Sequence, residues 1–180
     1  MRKPLRVVFL DFDGVLNDED WNASARKQPL DAIQQEFPNY LGGMLEDLQF
    51  LDPSKVARLS GLVERADASI VLSTSWAWKE PVPYLASILY DRGLRSPERV
   101  IGAVVTEGID ADTYHRTTRA EAVLAWLKRV PVKQWVAIDD EDMTRALGER
   151  FIRTDMYGGG LTDEHVSRAL KLLGVDDDAR

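Results

Sequence analysis

Two carboxylates spaced one residue apart follow a short apolar run near the N-terminus. The run occupies residues 7–10, Asp11 and Asp13 come after it, and Gly14 follows. Its β-branched and aromatic content predicts a buried strand, on which residues i and i+2 point the same way. Asp11 and Asp13 are therefore expected side by side where the strand ends. Because two unpaired carboxylates at the edge of a core are costly, the pattern indicates a shared cation, and Mg²⁺ prefers such oxygen ligands.

Polar side chains also end two other predicted strands. Residues 73–75 (Ser-Thr-Ser) follow one apolar run, and Asp139 with Asp140 follows another. Ligands of an open parallel sheet bind outside the carboxyl ends of its strands. The sequence therefore predicts one site in which carboxylates from two strands meet hydroxyls from a third. Taken alone, each pattern has a simpler interpretation, since Thr74 would also suit a helix cap and the acidic pair a solvated loop.

Arg119 occupies an unusual position for a cation. The pattern Thr118-Arg119-Ala120-Glu121 is a capping box, which places Arg119 in the first turn of a helix. A positive charge there opposes the helix dipole at a cost of about 0.3–1 kcal/mol. A helix N-terminus also suits an anion, so an arginine at this place is explained by contact with a phosphate or a carboxylate. A surface salt bridge is the alternative.

The elements that must position these residues alternate between strands and helices. Strands are predicted at residues 5–11, 69–73, 100–104, 134–139 and 150–152. Helices are predicted after the caps Asp52, Thr118 and Thr162, the first of them ending near Ala66. This alternation predicts an α/β fold with a mostly parallel sheet covered by helices on both faces. Residues 1–180 are interpreted as a single domain.

Residues 17–51 interrupt the alternation and read as a small helical, cap-like insert after the first strand. Short apolar patterns within it are split by a proline and a glycine pair. Since the insert leaves the core directly after the Asp pair, we expect it over the carboxyl edge of the sheet. It carries basic residues, Arg26 and Lys27, and aromatic residues that would either stack a base or form the insert's own core. The core interpretation is preferred for Trp21, and the insert as a whole is expected to shape substrate choice.

Composition narrows the function classes. The chain has 180 residues, no cysteine and a formal net charge of −7. Disulfides and cysteine-bound zinc are therefore excluded, and a broad basic surface for nucleic acid is disfavoured. No apolar run approaches the roughly 18 residues of a membrane span, so no membrane association is expected. The sequence predicts a cytoplasmic location and indicates no obligate protein partner.

The combined motifs resemble the haloacid dehalogenase (HAD) superfamily of phosphotransferases. Its four motifs are matched in order by residues 11–15, by Thr74 with Ser73 as the alternative, by Arg119 with Arg116 as the second candidate, and by Asp139-Asp140. A finer similarity, to the HAD domains associated with RNA-repair proteins, rests on residues 72–76 and on Gly160-Leu161-Thr162. The resemblance implies a HAD-like, Rossmannoid sheet flanked by helices.

The resemblance also implies a chemistry. Asp11 would be the nucleophile that forms an aspartyl phosphate, and Asp13 would be the acid and base. The metal would be Mg²⁺, held by four residues: Asp11, Asp13 through its backbone carbonyl, Asp139 and Asp140. The phosphate would be bound by Thr74, Ser75, Gly14 and Arg119, of which Thr74 and Arg119 also belong to the catalytic set. The substrate would be a phosphomonoester, with a nucleotide or a nucleic-acid end as candidates.

Two other functional classes share these features. One is a catalytically silent phosphate-binding or regulatory module, which the intact Asp11 and Asp13 argue against. The other is a receiver-type phosphoacceptor, which takes its aspartate from a middle strand, whereas the predicted third strand ends in Thr106-Glu107. Outside the motifs, Trp76 and Trp78 are interpreted as packing residues, and the two histidines, His115 and His165, as surface residues.

Overall fold

A five-stranded parallel sheet lies at the centre of the molecule. The computed structural model describes residues 5–40, 43–104 and 118–175. Its strands are β1 (Arg6–Leu10), β2 (Ser69–Leu72), β3 (Val100–Ala103), β4 (Gln134–Asp139) and β5 (Phe151–Arg153). They lie in the order β3-β2-β1-β4-β5, and each neighbouring pair is parallel. Because β1 is the middle strand, the residues that follow it lie between the ends of β2 and β4.

Eight α-helices within the described ranges flank this sheet. They are α1 (Glu19–Ala25), α2 (Leu30–Glu36), α3 (Gly43–Phe50), α4 (Pro53–Ala66), α5 (Val82–Asp91), α6 (Arg119–Arg129), α7 (Thr144–Leu147) and α8 (Asp163–Leu172). Short 3₁₀ helices span Ser75–Trp78, Pro97–Arg99 and Gly148–Arg150. The predicted α/β fold class, a parallel sheet flanked by helices, is confirmed. None of the helices in these ranges combines the length and the hydropathy needed to cross a bilayer.

The three predicted helix caps are present, and each follows from a local hydrogen bond. Asp52 accepts from the backbone N–H of Ser54 at the start of α4. Thr118 forms the expected capping box with Glu121 at the start of α6. Thr162 caps α8 in the same way, with the Nδ1 atom of His165 accepting from the Thr162 backbone N–H at 3.2 Å. His165, expected on the surface, is therefore half-buried and part of a cap.

The predicted strands match the observed ones to within one residue at each end. The difference of one residue matters most at the carboxyl ends of β1 and β2. Asp11 and Ser73, predicted as the last residues of these strands, lie just beyond them. β5 runs over Phe151–Arg153, one residue later than predicted. Sequence periodicity locates a strand, but the residues at which the strand ends depend on where the neighbouring strands of the sheet diverge from it.

Residues 17–51, predicted as a helical insert, contain α1, α2 and α3. The segment packs against α5: Arg92, just after that helix, donates to the carbonyl of Leu48 at 2.6 Å. The base of the segment is held by Lys55, which is 5% exposed and whose Nζ lies 2.7 Å from Asp18 and 2.6 Å from Asp52. Since these two aspartates cap α1 and α4, one buried ammonium joins the two ends of the insert.

Candidate active site

The sheet register brings three polar residues to the same level at its carboxyl edge. Leu10 pairs with Leu72 on one side and with Ile138 on the other. Asp11, Ser73 and Asp139 each come directly after these paired residues. Aligned residues of neighbouring strands point to the same face, so the three side chains share one row. All three are at most 1% exposed.

An acidic cluster forms at this edge from three of the four predicted carboxylates. Asp13, expected side by side with Asp11, is not part of it, because the chain has left the strand after Leu10 and the Asp13 side chain is bound by Asn17 and Trp76. Carboxylate oxygens of Asp11, Asp139 and Asp140 lie within 4.8 Å of one another. The Nη1 atom of Arg119 donates to both Asp139 oxygens at 2.9 Å and also contacts Asp11. Its Nε atom lies 3.5 Å from the exposed Glu141. The first turn of α6 therefore directs its cation at the carboxylates, which accounts for a charge that the helix dipole disfavours.

The electrostatics of this cluster are unbalanced because two buried carboxylates share one guanidinium. Burial, and then the negative charge of Asp139, raises the pKa of Asp11 although Arg119 opposes the shift. Burial likewise raises the pKa of Asp139 against the effect of Arg119. Burial would lower the pKa of Arg119, but the charges of Asp11 and Asp139 outweigh it and raise that pKa. A further cation would stabilise both carboxylates in their charged form.

The residues around the cluster fit a small divalent cation. Three carboxylates supply the hard oxygen atoms that Mg²⁺ prefers. Gly14 allows the loop after β1 to lie close to one of these carboxylates, Asp140. It has φ +69°, and a Cβ built on it would lie 2.5 Å from the Asp140 Oδ2 atom. Only glycine lets the loop after β1 pass this close to Asp140, so this close approach is built into the fold.

Asp13 is held by two side chains that the sequence patterns did not single out for this role. The Nδ2 atom of Asn17 donates to one oxygen of Asp13 at 3.0 Å, and the indole Nε1 atom of Trp76 donates to the other at 2.9 Å. Asn17 also accepts from the backbone N–H of Gly14 at 2.9 Å. The Trp76 ring packs edge-on against Phe12, with 5.3 Å between centroids. The predicted packing role of Trp76 is therefore incomplete, and no sequence signal links it to Asp13.

The hydroxyls that follow β2 differ in what they contact. Thr74 is fully buried, and its side-chain oxygen accepts from the backbone N–H of Trp76 at 3.3 Å. It thus caps the 3₁₀ helix, the simpler of its two interpretations. Ser73 is 1% exposed, and its Oγ atom has no hydrogen-bond partner among the described residues. Ser75 is exposed at the start of the 3₁₀ helix.

Two cavities are lined in part by residues of the predicted site. One, of about 410 Å³, is lined by Asp13, Asp47, Ser75, Trp76, Lys79 and Glu80. The other, of about 670 Å³, is lined by Asp140, Arg153, Thr154, Asp155, Met156, Tyr157, Gly158 and His165. Asp13, the carboxylate predicted as acid and base, thus lines the first cavity, while Asp140, but not the fully buried Asp139, lines the second.

The remaining predicted residues lie away from the cluster or outside the described ranges. Arg116 and His115 fall within residues 105–117, which the structure does not describe. Trp21 donates to the carbonyl of Gln49 at 3.1 Å, which supports the core interpretation of that residue. Arg26 is exposed and lies over the ring of Phe50, 5.9 Å from its centroid. The small cavity that these two residues border has no member of the acidic cluster in its wall.

Comparison with protein-family models identifies a family that covers most of the chain. The model of the family described as the HAD domain in Swiss Army Knife RNA repair proteins matches residues 7–166. The match spans all four motifs and confirms both the broader and the finer resemblance stated from the sequence. Neither the curated proteins nor the solved structures include a significant match to the chain.

Proposed function

The chain belongs to the family of HAD domains in Swiss Army Knife RNA repair proteins, a phosphohydrolase-type family, and from this premise we propose that it is a Mg²⁺-dependent phosphatase. Its substrate would be a phosphomonoester, with a nucleotide or a nucleic-acid end as the class that the family description favours. The observation that carries the proposal is the position of Asp11: a buried carboxylate that meets Asp139, Asp140 and Arg119, with Asp13 two residues further on.

The proposed reaction has two steps. An oxygen of Asp11 attacks phosphorus, the bond from phosphorus to the alcohol oxygen breaks, and Asp13 gives its proton to that oxygen. Asp13 then takes a proton from a water molecule, whose oxygen attacks the aspartyl phosphate and releases inorganic phosphate. Asp11 is regenerated as a carboxylate and Asp13 as an acid, so no further reactant is needed.

The other polar residues would bind and stabilise the transferred group. Arg119 lies against Asp11 and would offset negative charge on the phosphoryl oxygens. Hydroxyls after β2 would donate to these oxygens. We favour Ser73 over Thr74 because Ser73 shares the row of Asp11 and its buried Oγ atom has no hydrogen-bond partner among the described residues. Thr74, whose oxygen accepts from Trp76, keeps its own proton to donate and is the alternative. Ser75 and the backbone of Gly14 complete the proposed phosphate site.

Asp11, Asp139 and Asp140, together with the backbone carbonyl of Asp13, would hold Mg²⁺. When bound, the ion would reduce the repulsion between an anionic nucleophile and an anionic substrate. The fit rests on the three clustered carboxylates and on the close approach that Gly14 allows. The alternative, a phosphate-binding module without catalysis, would keep this site and release no phosphate.

Turnover of p-nitrophenyl phosphate with Mg²⁺ tests the proposal. The parent protein should release p-nitrophenol, and Asp11→Asn should lower kcat by at least about 10³-fold because the amide is not a nucleophile. Circular dichroism should show that the fold is kept, since the change is isosteric. Asp20→Asn, an exposed position on α1, is the matched control. A variant at Asp11 within tenfold of the parent would exclude this residue as the nucleophile, and absence of turnover in the parent would support the silent module.

A further inference from the structure

The cavity beside Asp13 has walls from three parts of the chain. Asp13 lies in the loop after β1, Asp47 on α3 of the insert, and the remaining members on or just after the 3₁₀ helix that follows β2. Its volume, about 410 Å³, is within the usual range of small-ligand sites. It shares Asp13 and Ser75 with the proposed catalytic centre, and of these two Asp13 is the proposed proton donor, so the use of the cavity depends on what Asp13 does.

The orientation of Asp13 decides which part of a substrate this cavity receives. Asn17 and Trp76 each hold one carboxylate oxygen, so the side chain is kept at the cavity wall. A proton donor must lie within hydrogen-bond reach of the oxygen that it protonates. If Asp13 is the acid of the proposed function, the leaving oxygen lies at this wall and the alcohol behind it occupies the cavity. The larger cavity is bordered by Asp140 and does not include Asp13.

The charges in the walls limit the chemistry of that alcohol. Asp47 and Glu80 are half-buried carboxylates, which only accept hydrogen bonds, and Lys79 supplies an ammonium, which only donates. An anionic alcohol would be repelled by the carboxylates. A cationic alcohol would be attracted by them, but it offers the ammonium of Lys79 no hydrogen-bond acceptor on its charged group. A hydroxyl is neutral and both donates and accepts, so it satisfies walls of both kinds. Tyr84 of α5 donates to Asp47 at 3.3 Å and thereby orients this carboxylate.

We propose that this cavity binds the alcohol portion of the substrate and selects a neutral polyhydroxy alcohol, with Asp47 and Glu80 accepting hydrogen bonds from its hydroxyls. The inference rests on the proposed function, in which Asp13 protonates the leaving oxygen. It assigns substrate selection by the insert to one residue, Asp47, and not to the basic residues Arg26 and Lys27. A free sugar phosphate and a ribonucleotide carry the same hydroxyls, so both are candidates.

A matched pair of substrates measures the effect of the ring hydroxyls on kcat/KM. Ribose 5-phosphate and tetrahydrofurfuryl phosphate both carry a phosphorylated primary alcohol on a five-membered ring, but only the first has ring hydroxyls. The parent should show a ratio of kcat/KM of at least about tenfold in favour of ribose 5-phosphate, as expected for hydrogen bonds to charged groups. Asp47→Leu and Glu80→Gln should each lower this ratio about threefold or more. Glu46→Gln, which changes a neighbouring carboxylate on α3 outside the cavity, should keep the parent ratio.

Two further substrate comparisons test whether the alcohol belongs to a sugar phosphate or a nucleotide, and whether it is neutral or cationic. Uridine 5′-monophosphate and its 2′,3′-dideoxy analogue repeat the comparison on a nucleotide, and the pair with the higher kcat/KM shows whether a sugar phosphate or a nucleotide is preferred. Phosphoethanolamine presents a cationic alcohol instead. A ratio near one for both hydroxyl pairs, a better use of phosphoethanolamine, or a ratio that Asp47→Leu leaves at the parent value would overturn the inference.

Failure of this inference and failure of the proposed function give different results. A parent that hydrolyses p-nitrophenyl phosphate without any hydroxyl preference would retain the function and lose the inference. If the parent hydrolyses no phosphomonoester, calorimetry of ribose 5-phosphate binding replaces the kinetic ratio. Binding that Asp47→Leu weakens about threefold or more would then support a hydroxyl-binding cavity, and equal affinity or no binding would contradict it.

Discussion

Asp13, the acid of the proposed mechanism, has a side chain whose orientation is fixed by its neighbours. A side chain with two carboxylate oxygens can rotate, and a rotated acid would no longer face the leaving group. Here Asn17 holds one oxygen and Trp76 the other, at 3.0 Å and 2.9 Å. The packing of Trp76 against Phe12 in turn fixes the indole. Trp76 is therefore a positioning residue for Asp13 in the proposed mechanism.

Trp76→Phe should lower activity in a way that depends on the leaving group. Phenylalanine keeps the ring against Phe12 but removes the N–H donor, so we expect kcat for an alkyl phosphate to fall about tenfold. The loss for p-nitrophenyl phosphate should be clearly smaller, because its leaving group needs little protonation. Asp13→Asn should give the same pattern with losses of about 10²–10⁴-fold. Trp78→Phe, on the same 3₁₀ helix, is the control; equal losses on both substrates would assign Trp76 a structural role only.

Ser73 and Thr74 can be separated by comparing activity with stability. Ser73→Ala should lower kcat/KM by about tenfold or more, if its hydroxyl binds a phosphoryl oxygen, while Tm changes little because the hydroxyl has no partner among the described residues. Thr74→Val should instead lower the free energy of unfolding by about 1 kcal/mol, because it removes the hydroxyl that caps the 3₁₀ helix by accepting from the Trp76 backbone N–H. The reverse result would return the role to Thr74, as the sequence motif predicts.

At the scale of elements, the start of α6 positions the only cation that contacts Asp11 within the described part of the chain. Arg119 is the first residue of the helix, and the capping box of Thr118 and Glu121 determines where that helix begins. The insert depends on a similar device, since Lys55 joins the caps of α1 and α4. In both cases a helix end, whose backbone N–H groups need partners, is used to hold a charge in place.

Thr118→Ala should therefore reduce both stability and activity, whereas Thr162→Ala should reduce stability alone. Each change removes the side-chain cap of one helix and should cost about 1 kcal/mol. Only the first helix carries Arg119, so fraying of its first turn should also lower kcat/KM several-fold for p-nitrophenyl phosphate. Urea unfolding and steady-state kinetics on the two variants provide the comparison. Equal activity at equal loss of stability would show that the cap does not position Arg119.

At the scale of the whole molecule, the raised pKa values of Asp11 and Asp139 link folding to pH and to metal. An unfolded aspartate has a pKa of about 4, so the folded protein binds more protons above that pH. This contribution to stability is complete below about pH 4 and is lost as pH rises through the higher folded-state pKa values. Mg²⁺ competes with these protons and stabilises the charged carboxylates instead.

Mg²⁺ should therefore raise Tm more at about pH 8 than at about pH 5. At about 100 times the Kd, binding stabilises the folded state by about 2.7 kcal/mol, or roughly 5–10 °C for a domain of this size. Differential scanning fluorimetry with EDTA and with Mg²⁺ measures both shifts. Asp139→Ala should remove most of the gain at about pH 8, and Asp20→Ala should keep it. A gain that is equal at the two pH values would contradict metal binding by the buried carboxylates.

The sequence alone determined much of the fold and most of the candidate residues. The strands, the caps at Asp52, Thr118 and Thr162, and the α/β class follow from apolar periodicity and from hydrogen bonds between near neighbours. The meeting of Asp11 with Asp139 follows as well, because parallel strands place their carboxyl ends at one edge. These features depend on a few adjacent residues or on a general rule of topology, so they can be read locally.

Only the tertiary structure decided how these residues contact one another. Trp76 donates to Asp13 from 63 positions away, and Asp47 of the insert reaches the same cavity from another direction. The register of β2 against β1, and not the motif, places Ser73 level with Asp11. Such contacts depend on strand order, on exact register and on how helices dock against the sheet. The short-range patterns of a sequence do not specify those quantities, because they are set by the packing of the whole chain.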